Sequence, residues 1–247
     1  MRKHFAKANA IYPKYLNEIE LYNKTAYISL LNPNYSGKRL LAILNYLATH
    51  FKDPLMITAG YLYRYHYEMY TGCKQEAIEL ALAAEKKYIE TQLYPALKAT
   101  SLESTIKLSD WQSQLDLNEF KQSRDTLQHF YEHNSSFKLE IQTMAKNFIE
   151  KQYSQADNFR ISKTDAIQCS INFLLEESML FDCLINRGYE IDIYPGKHVT
   201  ALNDIGSRYP DAPIGLRDRT VIELTIHRVG RKFPQRNVIK NDCAEPQ

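Results

Sequence analysis

Three polar side chains in this sequence have types and surroundings suited to acyl and proton transfer: Ser29, Glu177 and Tyr194. Glu177 lies in a stretch of helical spacing that opens at Ser162–Asp165 (SKTD), runs to Arg187 and stops at Gly188. Glycine is favoured just past a helix end. On that helix Asp165, Gln168, Asn172 and Glu176 step along one stripe, which predicts a solvated face. Glu177 sits about 100° further round, in line with Phe173, Phe181 and Leu184. A carboxylate among apolar groups is costly unless it is paired or protonated. Its pKa is therefore tunable, and it suits proton transfer or the holding of an ammonium group. A buried structural carboxylate bonded to backbone is the other reading. Ser29 stands near the end of a β-branched and aromatic run, Thr25–Leu31 (TAYISLL). As a nucleophile it needs activation, and no histidine is evidently placed to supply it; a turn-forming serine is the plain alternative. Tyr194 ends an alternating run, Tyr189–Tyr194 (YEIDIY), closed by Pro195 and Gly196, where packing is the commoner role.

These residues must be carried by strands and helices in alternation. Thr25–Leu31 reads as a buried strand, Asn32–Asn34 as a breaker, and Ser36 as the cap of a helix with Leu40, Leu44, Leu47 and Phe51 on one face. Leu55–Gly60 (LMITAG) is a second strand. Helical patterns follow over Glu76–Lys98 and about Leu115–Asn134, and a third begins near Phe137 with Ile141, Ala145 and Phe148 on one face. Val221–His227 is a further strand. Strands separated by helices predict an α/β fold, an open parallel sheet with helices on both faces. Such sheets bind ligands beyond the carboxyl ends of their strands. If the strands of Ser29 and Tyr194 are parallel neighbours, both side chains reach one crevice.

Composition narrows the classes. The chain has 247 residues, 44% hydrophobic and 24% charged, with a formal net charge of +2. That is ordinary for a globular protein and predicts one domain over 1–247, with 241–247 as a loose polar tail. No apolar run approaches the roughly 18 residues that span a bilayer, and no apolar stretch follows Met1–Phe5, so neither membrane insertion nor secretion is expected. Cys73, Cys169, Cys183 and Cys243 lie far apart, as reduced thiols of a cytoplasmic protein would. Eighteen tyrosines against eight glycines suit a helix-rich protein better than a glycine-woven phosphate-binding fold. The sequence has no G-x-G-x-x-G, P-loop, G-x-S-x-G or H-E-x-x-H. His129 and His133 are four apart on a predicted helix but have no recognisable third ligand, so a surface or packing role is expected and no metal.

Taken together, three segments resemble the cyclodipeptide synthases: Tyr27–Tyr35 (YISLLNPNY), Phe173–Glu177 (FLLEE) followed by Phe181, and Tyr189–Gly196 (YEIDIYPG). The resemblance implies a single Rossmann-like domain similar to the catalytic domains of class I tyrosyl- and tryptophanyl-tRNA synthetases, without ATP or any other cofactor. It implies two aminoacyl-tRNAs as partners and a cyclic dipeptide as product. Ser29 then matches the nucleophile, Glu177 the carboxylate that holds the aminoacyl group's ammonium and exchanges protons with it, and Tyr194 the phenol beside the serine. Asn32, Phe173 and Pro195 fall at substrate-binding positions. Tyr194-Pro195 resembles the Tyr-Pro branch of the family, although Asn32 is a mark of the Tyr-His branch.

Two departures stand out. Many members carry a tyrosine where this chain has Phe173, and some carry a strongly basic tRNA-binding helix where Glu76–Lys98 offers only Lys86, Lys87 and Lys98. Those three are the expected tRNA contacts, with plain solvated helix charges as the other reading and Arg2, Lys3, Lys7, Arg228, Arg231, Lys232 and Arg236 as further basic groups. A monomer is the default. The segment Arg160–Thr164 (RISKT) loosely resembles the lysine loop of class I synthetases, but the ATP-handling histidine motif is missing and a helix cap is the better reading. Two rival functions remain: a synthetase-like enzyme that activates an amino acid with ATP, and a non-catalytic module that binds charged tRNA.

Overall fold

Apolar alternation and helical spacing together build a six-stranded sheet in the order β1-β6-β5-β2-β3-β4. The computed structural model describes residues 4–12, 17–30, 35–153, 159–196 and 205–228. The strands are β1 (His4–Tyr12), β2 (Thr25–Leu30), β3 (Lys52–Thr58), β4 (Lys107–Asp110), β5 (Ile191–Pro195) and β6 (Thr220–Arg228). All neighbours pair in parallel except β1, which runs antiparallel along the edge of β6. The mostly parallel α/β sheet expected from the alternation of elements is present, and β2 and β5 are neighbours.

The parity of the strands decides which residues can meet. Ala26, Ile28 and Leu30 of β2, with Ile191 and Ile193 of β5, pack on one face against the Gly37–His50 helix. Side chains alternate along a strand, so Tyr27 and Ser29, and likewise Asp192 and Tyr194, point to the other face. Tyr27 there joins the core built by the Asn118–His133, Ser135–Tyr153 and Lys163–Asn186 helices. Tyr27 pairs in register with Asp192; two residues further on, Ser29 and Tyr194 follow on the same face.

The Lys163–Asn186 helix starts at Ser162, whose hydroxyl accepts from the Asp165 N–H, so the cap reading of that segment holds. Gly188 follows its end with φ 86, a left-handed conformation that costs glycine little. Ser36 stands at the N-cap of its helix, but its side chain makes no capping hydrogen bond. Two strands escaped the sequence pattern: β1, whose inward positions are largely small alanines, and β4, four residues of mixed polarity. The helical run predicted over Glu76–Lys98 is a helix at Lys74–Tyr88, a π-helical turn at Ile89–Leu93 and a second helix at Tyr94–Thr100. Phe148 does not share the buried face of Ile141 and Ala145; Ile149 does, and Phe148 lies half exposed, edge-on to the ring of His66. No helix among the described residues is long and apolar enough to cross a membrane.

Candidate functional site

At the carboxyl edge of the sheet a cavity of about 80 Å³ is lined by Ser29, Tyr35, Tyr63, Phe173, Glu177, Tyr194 and Pro195, closed by Leu30, Ala59 and Leu62. Ser29 and Tyr194 are each one residue from the end of their strand, and Glu177 reaches in from the Lys163–Asn186 helix lying across that face. Side chains from the three segments singled out in the sequence are thus brought to one place. Asn32 and the cysteine Cys243 lie outside the described residues, as do Arg2, Lys3, Arg231, Lys232 and Arg236.

Electrostatics follow from burial. Desolvation pushes the Glu177 carboxyl up to about 7; the nearby Arg219 guanidinium pulls it down and the Asp192 carboxylate pushes it up again. Asp192 and Arg219 form a fully buried pair beneath it, with Arg219 Nε donating to Asp192 Oδ2 at 3.0 Å and the guanidinium lying over the Phe181 ring, 3.8 Å from its centroid. Burial raises the Tyr194 and Tyr35 phenols and pushes Tyr63 up to about 12, with the negative charge of Glu177 adding to it for Tyr194 and Tyr63. The cavity therefore offers a serine hydroxyl, neutral phenols and a carboxyl group poised to change charge near neutral pH.

Glu176 overturns its sequence reading. Instead of a solvated group it is a nearly buried acceptor for four donors from three partners: Arg64 through both guanidinium nitrogens, the Tyr65 hydroxyl at 3.0 Å and the Trp111 indole at 2.8 Å. Helical period separates Glu176 from Glu177 correctly but is blind to Arg64 and Trp111, which arrive from elsewhere in the chain. Asp165 and Gln168 of the same stripe are exposed as expected. Phe173 carries no hydroxyl into the cavity, but Tyr63 does, from a 3-10 turn beyond β3. The signal that points to Tyr63 is its place just past the carboxyl end of a parallel strand.

His129 and His133 stack on the surface, and His133 Nδ1 meets the His129 carbonyl at 2.8 Å. Among the described residues no group of three metal-ligating side chains converges. Lys86 and Lys87 end the Lys74–Tyr88 helix, exposed, and Lys98 is exposed in the helix that follows. Lys87 borders a second cavity of about 430 Å³ with Ser36, Tyr63, Tyr67 and Tyr88. Tyr63 lines both cavities.

No protein-family model matches the sequence, and no curated protein does. Solved structures do match. A cyclodipeptide synthase (CDPS) from Fluoribacter dumoffii superposes with a TM-score of 0.73 at 14% identity, covering 92% of this chain and 100% of that one. The chain has the cyclodipeptide synthase fold. The cyclodipeptide synthase from Candidatus Glomeribacter gigasporarum, bound to Phe-tRNAPhe, matches with a TM-score of 0.63 at 17% identity over 88% of this chain and 94% of that one. A Mycobacterium tuberculosis protein, whose structure demonstrates that cyclodipeptide synthetases are related to type I tRNA synthetases, matches at 0.62 and 13% identity over 84% and 87%. The mostly parallel, Rossmann-like α/β architecture expected from the three segments is therefore the architecture observed.

Two expectations follow from this site. Glu176→Ala strands Arg64 with no carboxylate and lowers unfolding free energy by about 3 kcal/mol, read as the shift in a urea transition; a loss below about 1 kcal/mol contradicts the clamp. The folded pKa of Glu177, about 7, lies above its usual 4.5. The native state thus binds more protons between those values, and stability falls as pH rises through them. Glu177→Gln removes that slope. Its gain over the parent is small at pH 5 and grows to at most about 3 kcal/mol at pH 8; a pH-independent difference contradicts the shift.

Proposed function

We propose that the protein is a tRNA-dependent cyclodipeptide synthase. The observation that carries this reading is the meeting of Ser29, Glu177 and Tyr194 in one cavity at the carboxyl ends of β2 and β5, on a fold shared with cyclodipeptide synthases. An aminoacyl ester is already activated, so its transfer to a hydroxyl needs no ATP. Ser29 Oγ attacks the ester carbonyl of the first aminoacyl-tRNA, the tRNA ribose oxygen leaves with the proton, and an aminoacyl ester of Ser29 results. Glu177 holds the ammonium of that aminoacyl group and, with a pKa near neutrality, takes its proton. The freed amine attacks the ester of a second aminoacyl-tRNA, which leaves a dipeptidyl ester on Ser29. The new terminal amine then attacks the Ser29 ester, closing the six-membered ring and returning the serine. Tyr194 remains a neutral phenol because burial raises its pKa, so it can position the serine oxygen and relay a proton.

Phe173 and Pro195 line the same cavity as walls for the aminoacyl group, and Asn32 is assigned with them from the resemblance of its segment. Pro195, buried and continuous with Tyr194 in β5, supports assignment to the Tyr-Pro branch. Lys87, at the cavity next door, is the best placed of Lys86, Lys87 and Lys98 to meet tRNA phosphate, and binding through such contacts weakens with salt. Charged tRNA as substrate supports a cytoplasmic location for the activity.

Mixing the protein with radiolabelled aminoacyl-tRNAs in the absence of ATP gives an acid-stable aminoacyl adduct and a cyclic dipeptide. Ser29→Ala gives neither. Product from Ser29→Ala at the parent rate overturns the reading, and label incorporation that requires ATP points to an amino-acid-activating enzyme instead.

A further inference from the structure

Tyr63 is the cavity's least expected member. It comes from a three-residue 3-10 turn, Tyr61–Tyr63, with no share in the strands or the helix that bring Ser29, Tyr194 and Glu177 together. The turn is fixed at both ends. On one side the Gly60 N–H donates to Glu85 Oε1 at 3.1 Å, and a Cβ at position 60 would lie 2.3 Å from the Glu85 Cβ, so only glycine lets the turn settle on that carboxylate. On the other side Arg64 donates to the Tyr61 carbonyl and lies between the Tyr61 and Tyr65 rings, 4.1 and 4.2 Å from their centroids, while Glu176 grips its guanidinium. Glu176 and Glu177 are adjacent on one helix, so the grip on Arg64 ties the residue after Tyr63 to the residue before Glu177. The Tyr63 ring is also held edge-on by Phe173, at 90° and 5.8 Å, and packs at 5.4 Å against His66. A side chain held from so many directions, in a wall between the serine cavity and the larger one beside it, is preorganised rather than merely accommodated.

We infer that Tyr63 is a substrate-contacting residue whose phenolic oxygen shares with Glu177 the task of orienting the α-amino group of the aminoacyl ester on Ser29. This inference rests on the proposed function. The phenol suits the task because burial keeps it neutral across the working pH range: its oxygen accepts from the ammonium, and after Glu177 takes a proton its hydroxyl can donate. Its place beside the second cavity aims the amine toward the side from which a second acyl group has room to arrive. The Arg64–Glu176 pair is then a positioning device that acts through Tyr63 and Glu177 without touching substrate.

Tyr63→Phe tests the hydroxyl while leaving the ring that packs on Phe173 and His66. The parent enzyme is assayed alongside for the Ser29 adduct, cyclic product and pH-rate profile. Tyr63→Phe is expected to form the adduct within about three-fold of the parent, to keep its thermal midpoint, and to make cyclic product at least ten-fold more slowly through kcat, with an altered acid limb of the pH profile. That loss corresponds to one hydrogen bond to a charged group. The double variant Tyr63→Phe/Phe173→Tyr returns a hydroxyl to the cavity from the facing wall and is expected to recover part of the rate. Product formation by Tyr63→Phe within two-fold of the parent, or a double variant no faster than the single one, overturns the inference. A parent enzyme that forms no adduct overturns the function itself, a result visible before any variant is compared.

Discussion

The site depends on the cost of holding the half-buried Glu177 carboxyl in a cavity above a buried ion pair. Desolvation alone penalises its charge, and the pair beneath it contributes opposing fields: Arg219 favours the carboxylate and Asp192 opposes it. Arg219 unpaired would pull the Glu177 pKa down, and Asp192 alone would push it further up. The pair leaves the balance near neutrality, where one group can hold an ammonium and then accept its proton. Maintaining it requires Arg219 to be enclosed, which the Phe181 ring and the Asp192 contacts accomplish. Buried pairs of this kind add little net stability over apolar packing, so their presence here is better explained by what they do to the group above them.

The sheet converts this local chemistry into a site. In a parallel sheet with helices on both faces, the carboxyl ends of neighbouring strands open onto one edge. β2 and β5 are paired with Tyr27 opposite Asp192, so a single register decision sets both the buried layer and the layer above it: Tyr27 and Asp192 below, Ser29 and Tyr194 at the rim. Slipping either strand by one residue would turn its members of these layers to the opposite face. The hydrophobic alternation Ala26, Ile28, Leu30 on the other face guards against it.

How much of this was legible in the sequence depends on the range of the interaction. The alternation in TAYISLL and YEIDIY and the helical period through FLLEE are local signals, and they placed Ser29, Tyr194 and Glu177 on elements that do converge. The same period misjudged Glu176, because its partners Arg64, Tyr65 and Trp111 are distant in the chain and the pattern on its own helix is silent about them. Tyr63 was missed for a related reason: it follows a strand by a few residues, in a turn whose direction is set by Glu85 and Arg64. The edge strand β1 and the short β4 lack a strong apolar alternation and give the sequence little to read. Overall architecture was legible because the order of strands and helices is itself a local signal repeated along the chain. The similarity to cyclodipeptide synthases at 13–17% identity is of that kind, a shared framework with most side chains replaced.

The claim on which all of this turns is the charge state of one carboxyl group. Carbon-13 NMR of protein labelled at the glutamate side-chain carboxyl, with the Glu177 signal assigned by its disappearance in Glu177→Gln, reads that state directly. A midpoint near pH 7 for the assigned signal is the predicted result. A midpoint in the ordinary glutamate range of about 4 to 5 would mean that Glu177 is a fixed anion at neutral pH, and the account of the site would be wrong.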